Sequence, residues 1–295
     1  MELNLSSKKK QWVFAYAMLL PYVVVYTIVK IYPFFYSLVL TFFKWDIIQD
    51  PVFIGFKNYA KLLTDEKFWM SMRNILHFTA LTAVPAILLG LITALIISSD
   101  IRGKGIWRVI FFLPYIFSVS VVSLLWLLMY GPKYGLFNML FVKMGLPPVE
   151  WLTTVNMAFF SVSIATLWWG LGFNFLIYLA ALQQIPKDFY EAASIDGARW
   201  YHRIWYLTIP LLKRTTLTVA ILQLIASLKS FGQIYLITGK GAPGGKSKVI
   251  LHYIYEKGFL ELKMGYAQTA AFIFFLMVFA VSLIQLKISQ SVEDK

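Results

Sequence analysis

The apolar run that decides the fold reads ILHFTALTAVPAILLGLITALIIS over residues 75–98. It contains no aspartate, glutamate, lysine or arginine. About 20 apolar residues suffice for a helix to cross the hydrocarbon core of a bilayer, so the run predicts a transmembrane helix. Its proline is tolerated because neighbouring helices satisfy the backbone groups that proline leaves free. Five further apolar runs predict spans at about 12–35, 107–130, 156–182, 213–238 and 265–287.

The composition of the whole chain indicates the same class of protein. Hydrophobic residues make up 59% of the 295 residues, whereas a soluble domain usually has about 45–50%. The chain has no cysteine, which excludes disulfide scaffolds and thiolate metal or redox sites. Its net charge is +13. The basic residues lie between the apolar runs, where they meet lipid headgroups or set the topology, so they do not indicate a nucleic-acid partner.

The N-terminal segment places three lysines before an apolar run that begins at Trp12, as a secretory signal peptide does. A signal peptide has an apolar region of about 7–15 residues followed by a small-residue cleavage site. Here the run is longer and no such site follows it. We therefore expect an uncleaved first helix that is bent near Pro21 and ends near Pro33.

Six spans place both chain termini on the same side of the membrane. Lysine and arginine are almost equally numerous on the two sides, so the positive-inside rule discriminates weakly. The short loops after spans two and four and the N-terminal lysines carry concentrated positive charge. This pattern favours cytoplasmic termini and leaves the opposite orientation open.

One loop is unlike the others and reads IPKDFYEAASIDGARWYHRIWYLTIP over residues 185–210. Pro186 suits the first turn of a helix, and the acidic side chains that follow suit its positive end. Asp196-Gly197 is a helix-stop and turn signal. A second short helix over 199–207 would then precede Pro210, which leads into span five. The loop therefore predicts a helix–turn–helix outside the bilayer.

A generic loop of this length would be an ordinary interfacial connector, but its residues match a known pattern. The loop resembles the EAA signature of membrane subunits of binding-protein-dependent ABC importers. The matching residues are Glu191-Ala192-Ala193, Gly197 and Pro210. Leu207 and Ile209 stand where isoleucine and leucine are more usual in the signature. Its exposed face is predicted to be small, which would let another protein approach the backbone, and consists of Ala192, Ala193, Gly197 and Ala198.

The resemblance extends over most of the chain. The stretch FIGFKNY over residues 53–59 is similar to the segment after the first span in sugar-type subunits related to the maltose and glycerol-phosphate importers. The chain departs from that family at Gly232, where an acidic residue is common. The resemblance implies an all-α, six-span type I ABC importer permease that forms a single transmembrane domain over residues 1–295, in a bacterial or archaeal plasma (inner) membrane.

The resemblance also implies that several different chains share the transport function. This subunit would form a heterodimer with a sister permease, and an extracytoplasmic sugar-binding protein would deliver a sugar. Two cytoplasmic ATPase subunits would hold ATP and magnesium, so this chain would have no cofactor of its own and no catalytic residue. The residues implied in ATPase coupling are Glu191, Ala192, Ala193, Asp196, Gly197, Ala198 and Pro210.

Polar residues within the predicted spans suggest where a substrate would contact the chain. Such residues are energetically costly in a bilayer, so they usually have a function. Gln223, Ser227 and Ser230 are spaced to share one helical face, with Lys229 and Gln233 beside it. Positions that contact sugar in the maltose-type family match Gly170, Phe173, Gln223, Ala226 and Ser227. The pocket candidates are Gly170, Phe173, Asn174, Gln223, Ala226, Ser227 and Ser230. The alternative is that these residues pack helices together, as small and hydroxyl residues often do in membranes.

Other functions remain as alternatives. An ion-coupled secondary transporter would favour a buried acidic coupling residue, and the six predicted spans contain none. The three histidines are far apart in sequence and have no metal-ligand spacing, so no metal site is expected. An ABC importer for glycerol-phosphate or another non-sugar solute stays open beside the sugar importer.

Overall fold

The computed structural model describes residues 5–99, 101–239, 241 and 243–293. The outermost residues at both ends, to which the prediction of cytoplasmic termini refers, lie outside this part of the chain. The chain folds into two compact units. The first unit comprises Met1–Asp65 with Ile254–Ile273, and the second comprises Glu66–Tyr253 with Phe274–Lys295.

The first unit begins with a long helical segment built from α1 (Leu5–Tyr26), a π-helical turn (Thr27–Ile31) and α2 (Tyr32–Leu40). The prediction that this helix ends near Pro33 is wrong, because helical structure continues to Leu40. Pro33 lies in the first turn of α2, where the missing N–H is tolerated. The preceding π-helical turn widens the helix where the proline ring would otherwise crowd the carbonyl four residues earlier.

A small hairpin and a short helix complete the N-terminal part of this unit. Strands β1 (Phe43–Lys44) and β2 (Val52–Phe53) pair antiparallel, and α3 spans Lys57–Leu63. Asn58 is buried, and its Nδ2 donates to the carbonyls of Thr41 at 2.9 Å and Phe43 at 3.0 Å. This side chain therefore ties α3 to the end of the first helical segment.

An ion-pair cluster lies in the C-terminal part of the first unit, in and just after the π-helical turn (Glu256–Leu260) that follows α14 (Ile250–Tyr255). The Glu261 carboxylate accepts from Lys257 Nζ and from Lys263 Nζ, each at 2.6 Å. Burial raises the pKa of Glu261, but the hydrogen bonds and positive charges of the two lysines outweigh burial and lower this pKa below its usual value.

Two long helices form the centre of the second unit. Helix α4 runs from Glu66 to Ser98, and α8 runs from Val155 to Gln183. Helix α4 begins nine residues before the predicted span at 75–98, since 66–74 continue the helix and bury Phe68 and Met72. At their crossing, a Cβ on Gly90 would lie 2.7 Å from Asn174 Cβ. Only glycine allows this close approach.

The predicted third span is two helices rather than one. Helix α5 (Lys104–Ile116) and α6 (Val119–Met129) meet at an angle of 98°. Phe117 and Ser118 have extended backbones, and Ser118 Oγ accepts from the Val121 N–H as the cap of α6. Beyond α6 lies the short helix α7 (Leu136–Lys143).

The predicted fifth span also breaks. After α9 (Lys187–Ile195), helical structure runs through α10 (Trp200–His202), a π-helical turn (Arg203–Thr208) and α11 (Ile209–Leu211). Helix α12 (Lys213–Leu228) follows at 65° to Trp200–Leu211. It ends ten residues before the predicted boundary at 238, and the separate helix α13 (Gly232–Ile237) packs against α6.

Among the described residues, four helical segments are long and apolar enough to cross a membrane. They are Gln11–Leu40, Glu66–Ser98, Val155–Gln183 and Met264–Ser289, the last lying within α15 (Met264–Glu293). The two bent pairs would raise the number to six if each counts as one span. The fold is therefore mostly helical, with a small hairpin and four to six candidate membrane spans.

Candidate functional site

A cavity of about 450 Å³ lies within the second unit, bounded by α4, α5, the start of α6, α8, α12 and the start of α13. It is referred to below as the central cavity. Six of the seven residues predicted to contact substrate line its wall, although they come from two separate helices and the break that follows α12. They are Gly170, Phe173, Gln223, Ala226, Ser227 and Ser230.

Asn174, the seventh candidate, is buried behind the wall and holds one of the lining residues. Its Nδ2 donates to Gln223 Oε1 at 3.0 Å and to the Ala86 carbonyl at 3.3 Å. Gln223 Nε2 donates in turn to Ser227 Oγ at 3.3 Å, and Thr82 Oγ1 donates to the same oxygen at 3.1 Å. Part of the predicted polar set thus joins α4, α8 and α12, as the helix-packing alternative expects.

Ser230 differs from its predicted position. The spacing of Gln223, Ser227 and Ser230 suggested one helical face, but α12 ends at Leu228 and Ser230 follows that end. Its N–H donates to the Ser227 carbonyl at 3.1 Å, which closes the last turn. The residue still faces the central cavity because the chain changes direction there to enter α13.

Aromatic side chains form one wall of the central cavity. The Tyr115 ring lies 5.6 Å from the Phe173 ring at an interplanar angle of 29°, and 5.4 Å from the Trp169 ring at 36°. Trp169 Nε1 donates to the Phe117 carbonyl at 3.0 Å, at the bend between α5 and α6. A cavity with aromatic faces on one side and amide and hydroxyl groups on the other can bind a small polar molecule through both stacking and hydrogen bonds.

Several lining residues were not among the predicted candidates. Tyr115 lies near the end of α5, just before the bend into α6, and Thr166 lies one turn before Gly170 on α8. Lys229 and Gln233 were noted beside the polar stripe, and both line the cavity. The helical period of α8, which places residue 166 on the face of Gly170 and Phe173, was the one signal that could have identified Thr166.

The segment 185–210 folds as a helix, a tight turn and a second helix. Gly197 has a φ of 78°, in the left-handed region that favours glycine. Its N–H donates to the Ser194 carbonyl at 3.1 Å, and the Ala198 N–H donates to the Ala193 carbonyl at 2.9 Å. These two bonds form a Schellman motif, which ends α9 and sets the direction of the next helix.

Side chains also connect the two helices of this segment. Arg203 Nη1 donates to Ser194 Oγ at 2.9 Å, and the Tyr190 hydroxyl and Thr208 Oγ1 share a hydrogen bond of 3.1 Å. The second helix reaches Leu211 rather than the predicted end at Leu207. Pro210 fits within it because it lies in the first turn of α11, directly after the π-helical turn.

The surface of this segment is more apolar than the sequence suggested. Of the predicted coupling residues, Glu191, Ala192, Asp196, Gly197 and Pro210 are exposed, and Ala193 and Ala198 are half-buried. Large apolar side chains surround them, with Ile195 exposed by 87%, Tyr206 by 80% and Trp200 by 68%. The face is therefore an exposed apolar surface that contains small residues, and such surfaces mark interaction sites.

Within the described part of the chain, no group of three or more histidine, aspartate and glutamate side chains could hold a metal ion. The described residues that line the central cavity include no aspartate or glutamate. Its chemistry is that of binding by hydrogen bonds, aromatic faces and one lysine.

Comparison with known proteins identifies the class. Residues 86–294 match the family described as "Binding-protein-dependent transport system inner membrane component". Over 301 aligned residues the chain is 33% identical to the trehalose/maltose transport system permease protein MalF of Thermococcus litoralis, with 100% of each chain covered. It is 33% identical over 238 residues to the sn-glycerol-3-phosphate transport system permease protein UgpA of Agrobacterium fabrum, with 80% of each covered.

Two solved structures have the same fold. A crystal structure of a bacterial alginate ABC transporter, in complex with an alginate pentasaccharide-bound periplasmic protein, has a chain that matches with a TM-score of 0.86 at 24% identity. That match covers 99% of this chain and 98% of the other. A bacterial ABC transporter involved in import of the acidic polysaccharide alginate matches with a TM-score of 0.85 at 25% identity, covering 98% and 99%.

The helices, the central cavity and these matches define a membrane permease subunit of an ABC transporter. The chain belongs to the family of binding-protein-dependent transport system inner membrane components. It is a non-catalytic membrane component, as the sequence predicted, and in such transporters the ATPase is a separate chain.

Proposed function

We propose that this chain is the translocation subunit of an ATP-driven carbohydrate importer, with six spans when each bent helix pair counts as one. The observation that carries this proposal is the central cavity, where six predicted substrate residues lie beside the aromatic wall of Tyr115, Trp169 and Phe173. Sugars offer hydroxyl groups for hydrogen bonds and apolar ring faces for stacking. The names of the relatives agree, since they include a trehalose/maltose permease and the arabinooligosaccharides permease AraP of Bacillus subtilis.

The segment 185–210 is the proposed contact with a cytoplasmic ATPase. Its second helix leads into α12 through Leu212, and α12 supplies part of the cavity wall, so motion of the segment would be transmitted to the cavity. Glu191 is exposed and has no ion-pair partner among the described residues, so its charge is available to a basic group on another protein. ATP binding would shift an inward/outward equilibrium by its different affinities for the two states.

The remaining subunits of the transporter complex are proposed from the known composition of the family's complexes. A sister permease would complete a heterodimer, and two ATPase subunits would hold ATP and magnesium. An extracytoplasmic binding protein would deliver the sugar. The chain would lie in the plasma (inner) membrane of a bacterium or archaeon, with both termini and the segment 185–210 on the cytoplasmic side.

The coupling role is tested by the double substitution Glu191→Lys with Gly197→Asp in the reconstituted complex. We expect loss of ATPase-subunit assembly and of sugar-stimulated ATP hydrolysis. The charge is reversed at the surface, and an aspartate at φ 78° strains the turn. Glu150→Lys, an exposed charge reversal outside the segment, is the matched control and should leave both intact. If assembly and stimulation both survive in the double variant, the docking role is wrong.

The carbohydrate role is tested separately by uptake of labelled oligosaccharides into vesicles that contain the full complex and its binding protein. ATP-dependent accumulation of a saccharide is the expected result. Uptake driven by an ion gradient without ATP would instead support the secondary transporter. A non-sugar importer is the second candidate, which the similarity to UgpA favours. Uptake of glycerol 3-phosphate with no saccharide uptake would establish it.

A further inference from the structure

The amide oxygens in the central cavity accept hydrogen bonds from within the protein. Two glutamines line the cavity, and the carbonyl oxygen of each already accepts a hydrogen bond from another helix. Thr166 Oγ1 donates to Gln233 Oε1 at 2.6 Å, and Asn174 Nδ2 donates to Gln223 Oε1 at 3.0 Å. Each of these amide oxygens, which has two acceptor sites, therefore already uses one of them within the protein.

Two donors remain available at the end where α12 breaks. Gln233 is 3% exposed, and its Nε2 is buried with no hydrogen-bond partner among the described residues. Lys229 precedes Gln233 by four residues and lines the same cavity. A lysine ammonium has three donors and no acceptor. Within the described residues, no carboxylate forms an ion pair with it.

The charge of the cavity wall has one sign. Among the described residues that line the cavity, Lys229 is the only charged one. An ionisable residue within a predicted membrane span is costly and usually has a function. A neutral sugar presents hydroxyl groups that both donate and accept, so it gains no charge-charge attraction from the ammonium of Lys229. An anionic group only accepts, and it matches this wall.

We propose that the central cavity takes a carbohydrate that bears an anionic group, a carboxylate or a phosphate, and that Lys229 and Gln233 bind this group. The inference rests on the proposed carbohydrate-import function and specifies its substrate class. Charge-assisted hydrogen bonds are roughly twice as strong as neutral ones, so Lys229 determines the preference for the anionic substrate over a neutral one.

The test uses the full complex, with its sister permease, ATPase and binding protein, in vesicles. The probes are an oligogalacturonate, the same oligosaccharide with its carboxyl groups converted to methyl esters, and a sugar phosphate, glucose 6-phosphate. The first and third probes distinguish a carboxylate from a phosphate, and the ester is the neutral control of equal length. We expect the wild-type complex to transport at least one anionic probe faster than the neutral ester.

The substitution Lys229→Gln should lower kcat/KM for the preferred anionic probe by about tenfold or more, while uptake of the neutral ester stays within about twofold. Lys229→Arg keeps the charge and should retain most of the preference. Lys143→Gln removes an exposed lysine that does not line the cavity and should change nothing. Retained uptake of the ester in Lys229→Gln shows that the variant complex is folded.

Three results would overturn the inference. The first is wild-type uptake of neutral saccharides with no uptake of either anionic probe. The second is an equal loss of anionic and neutral uptake in Lys229→Gln, and the third is no change in either. A complex that transports no saccharide, charged or neutral, would instead contradict the proposed carbohydrate function itself, so the two failures are distinguishable.

Discussion

Gly90→Ala tests whether the close approach of α4 and α8 holds the second unit together. The added Cβ would lie 2.7 Å from Asn174 Cβ, 3.2 Å from the Asn174 carbonyl carbon and 3.3 Å from the Phe175 nitrogen. Carbon atoms in good contact are about 3.5–4.0 Å apart, so the helices must separate by about 1 Å. Two of the three atoms belong to the α8 backbone, which cannot move aside as a side chain can.

We expect this overpacking to destabilise the protein by about 1–3 kcal/mol. The displacement would also stretch the hydrogen bonds from Asn174 to the Ala86 carbonyl and to Gln223, at present 3.3 Å and 3.0 Å. The assay is thermal unfolding of the purified protein in detergent, followed by tryptophan fluorescence. A shift of roughly 2–4 °C per kcal/mol predicts a midpoint lowered by about 2–12 °C.

Gly105→Ala is the matched control for this experiment. Gly105 also lies inside a helix, but its added Cβ would meet nothing within 4 Å. That variant should unfold at the wild-type temperature or slightly above it, because alanine favours a helix over glycine by up to about 1 kcal/mol. If Gly90→Ala and Gly105→Ala unfold at the same temperature, the close-approach reasoning is wrong.

Three further predictions concern polar contacts. Asn138→Ala should lower the unfolding midpoint by removing the four hydrogen bonds of this buried side chain, among them the one from the half-buried Trp151 indole N–H at 3.1 Å, at a cost of about 1–3 kcal/mol; an unchanged midpoint would contradict this. Thr166→Val should also destabilise by about 1–3 kcal/mol, since Gln233 Oε1 loses its donor, whereas the exposed Thr218→Val should not. The lowered pKa of Glu261 means that its ion pairs stabilise the fold above the unfolded pKa of about 4.3. That stabilisation is lost as pH falls through the lower folded pKa. Hydrogen-exchange protection around residue 261 should fall in this acid range in the wild type but not in Glu261→Gln. Wild-type protection that does not change with pH would contradict the stabilising role of these ion pairs.

The fold was predictable where a span is one uninterrupted helix. The runs at 75–98 and 156–182 coincide with most of α4 and α8, because 20 or more apolar residues have few alternatives to a membrane helix. The third and fifth spans were predicted as single helices and are bent or broken. Apolar composition alone does not distinguish a straight helix from two helices at 98°. Those interruptions depend on packing between distant segments, such as that of α13 with α6.

The candidate site, like the fold, was predictable from the sequence only in part. Gly170, Phe173, Gln223, Ala226, Ser227 and Ser230 were proposed from the sequence, and the structure places all six around one cavity. Whether they bind substrate is still a prediction. Tyr115 was missed because it lies on α5 and no local spacing relates it to those residues, whereas the helical period of α8 does relate Thr166 to Gly170 and Phe173. Asn174 was proposed as a contact, but it lies behind the wall, where it positions Gln223.

Local patterns along the chain are enough to predict a helical membrane protein with a turn at Gly197. Hydrophobic run length and the left-handed preference of glycine are local properties that a sequence displays directly. The positions where the helices break and the set of side chains around the cavity depend on packing between distant segments, and they became known only from the structure. The structure also shows which polar atoms there are already engaged. Engagement depends on donors that arrive from other helices, as Thr166 does at Gln233, and such pairings over 67 residues follow from packing rather than from local pattern.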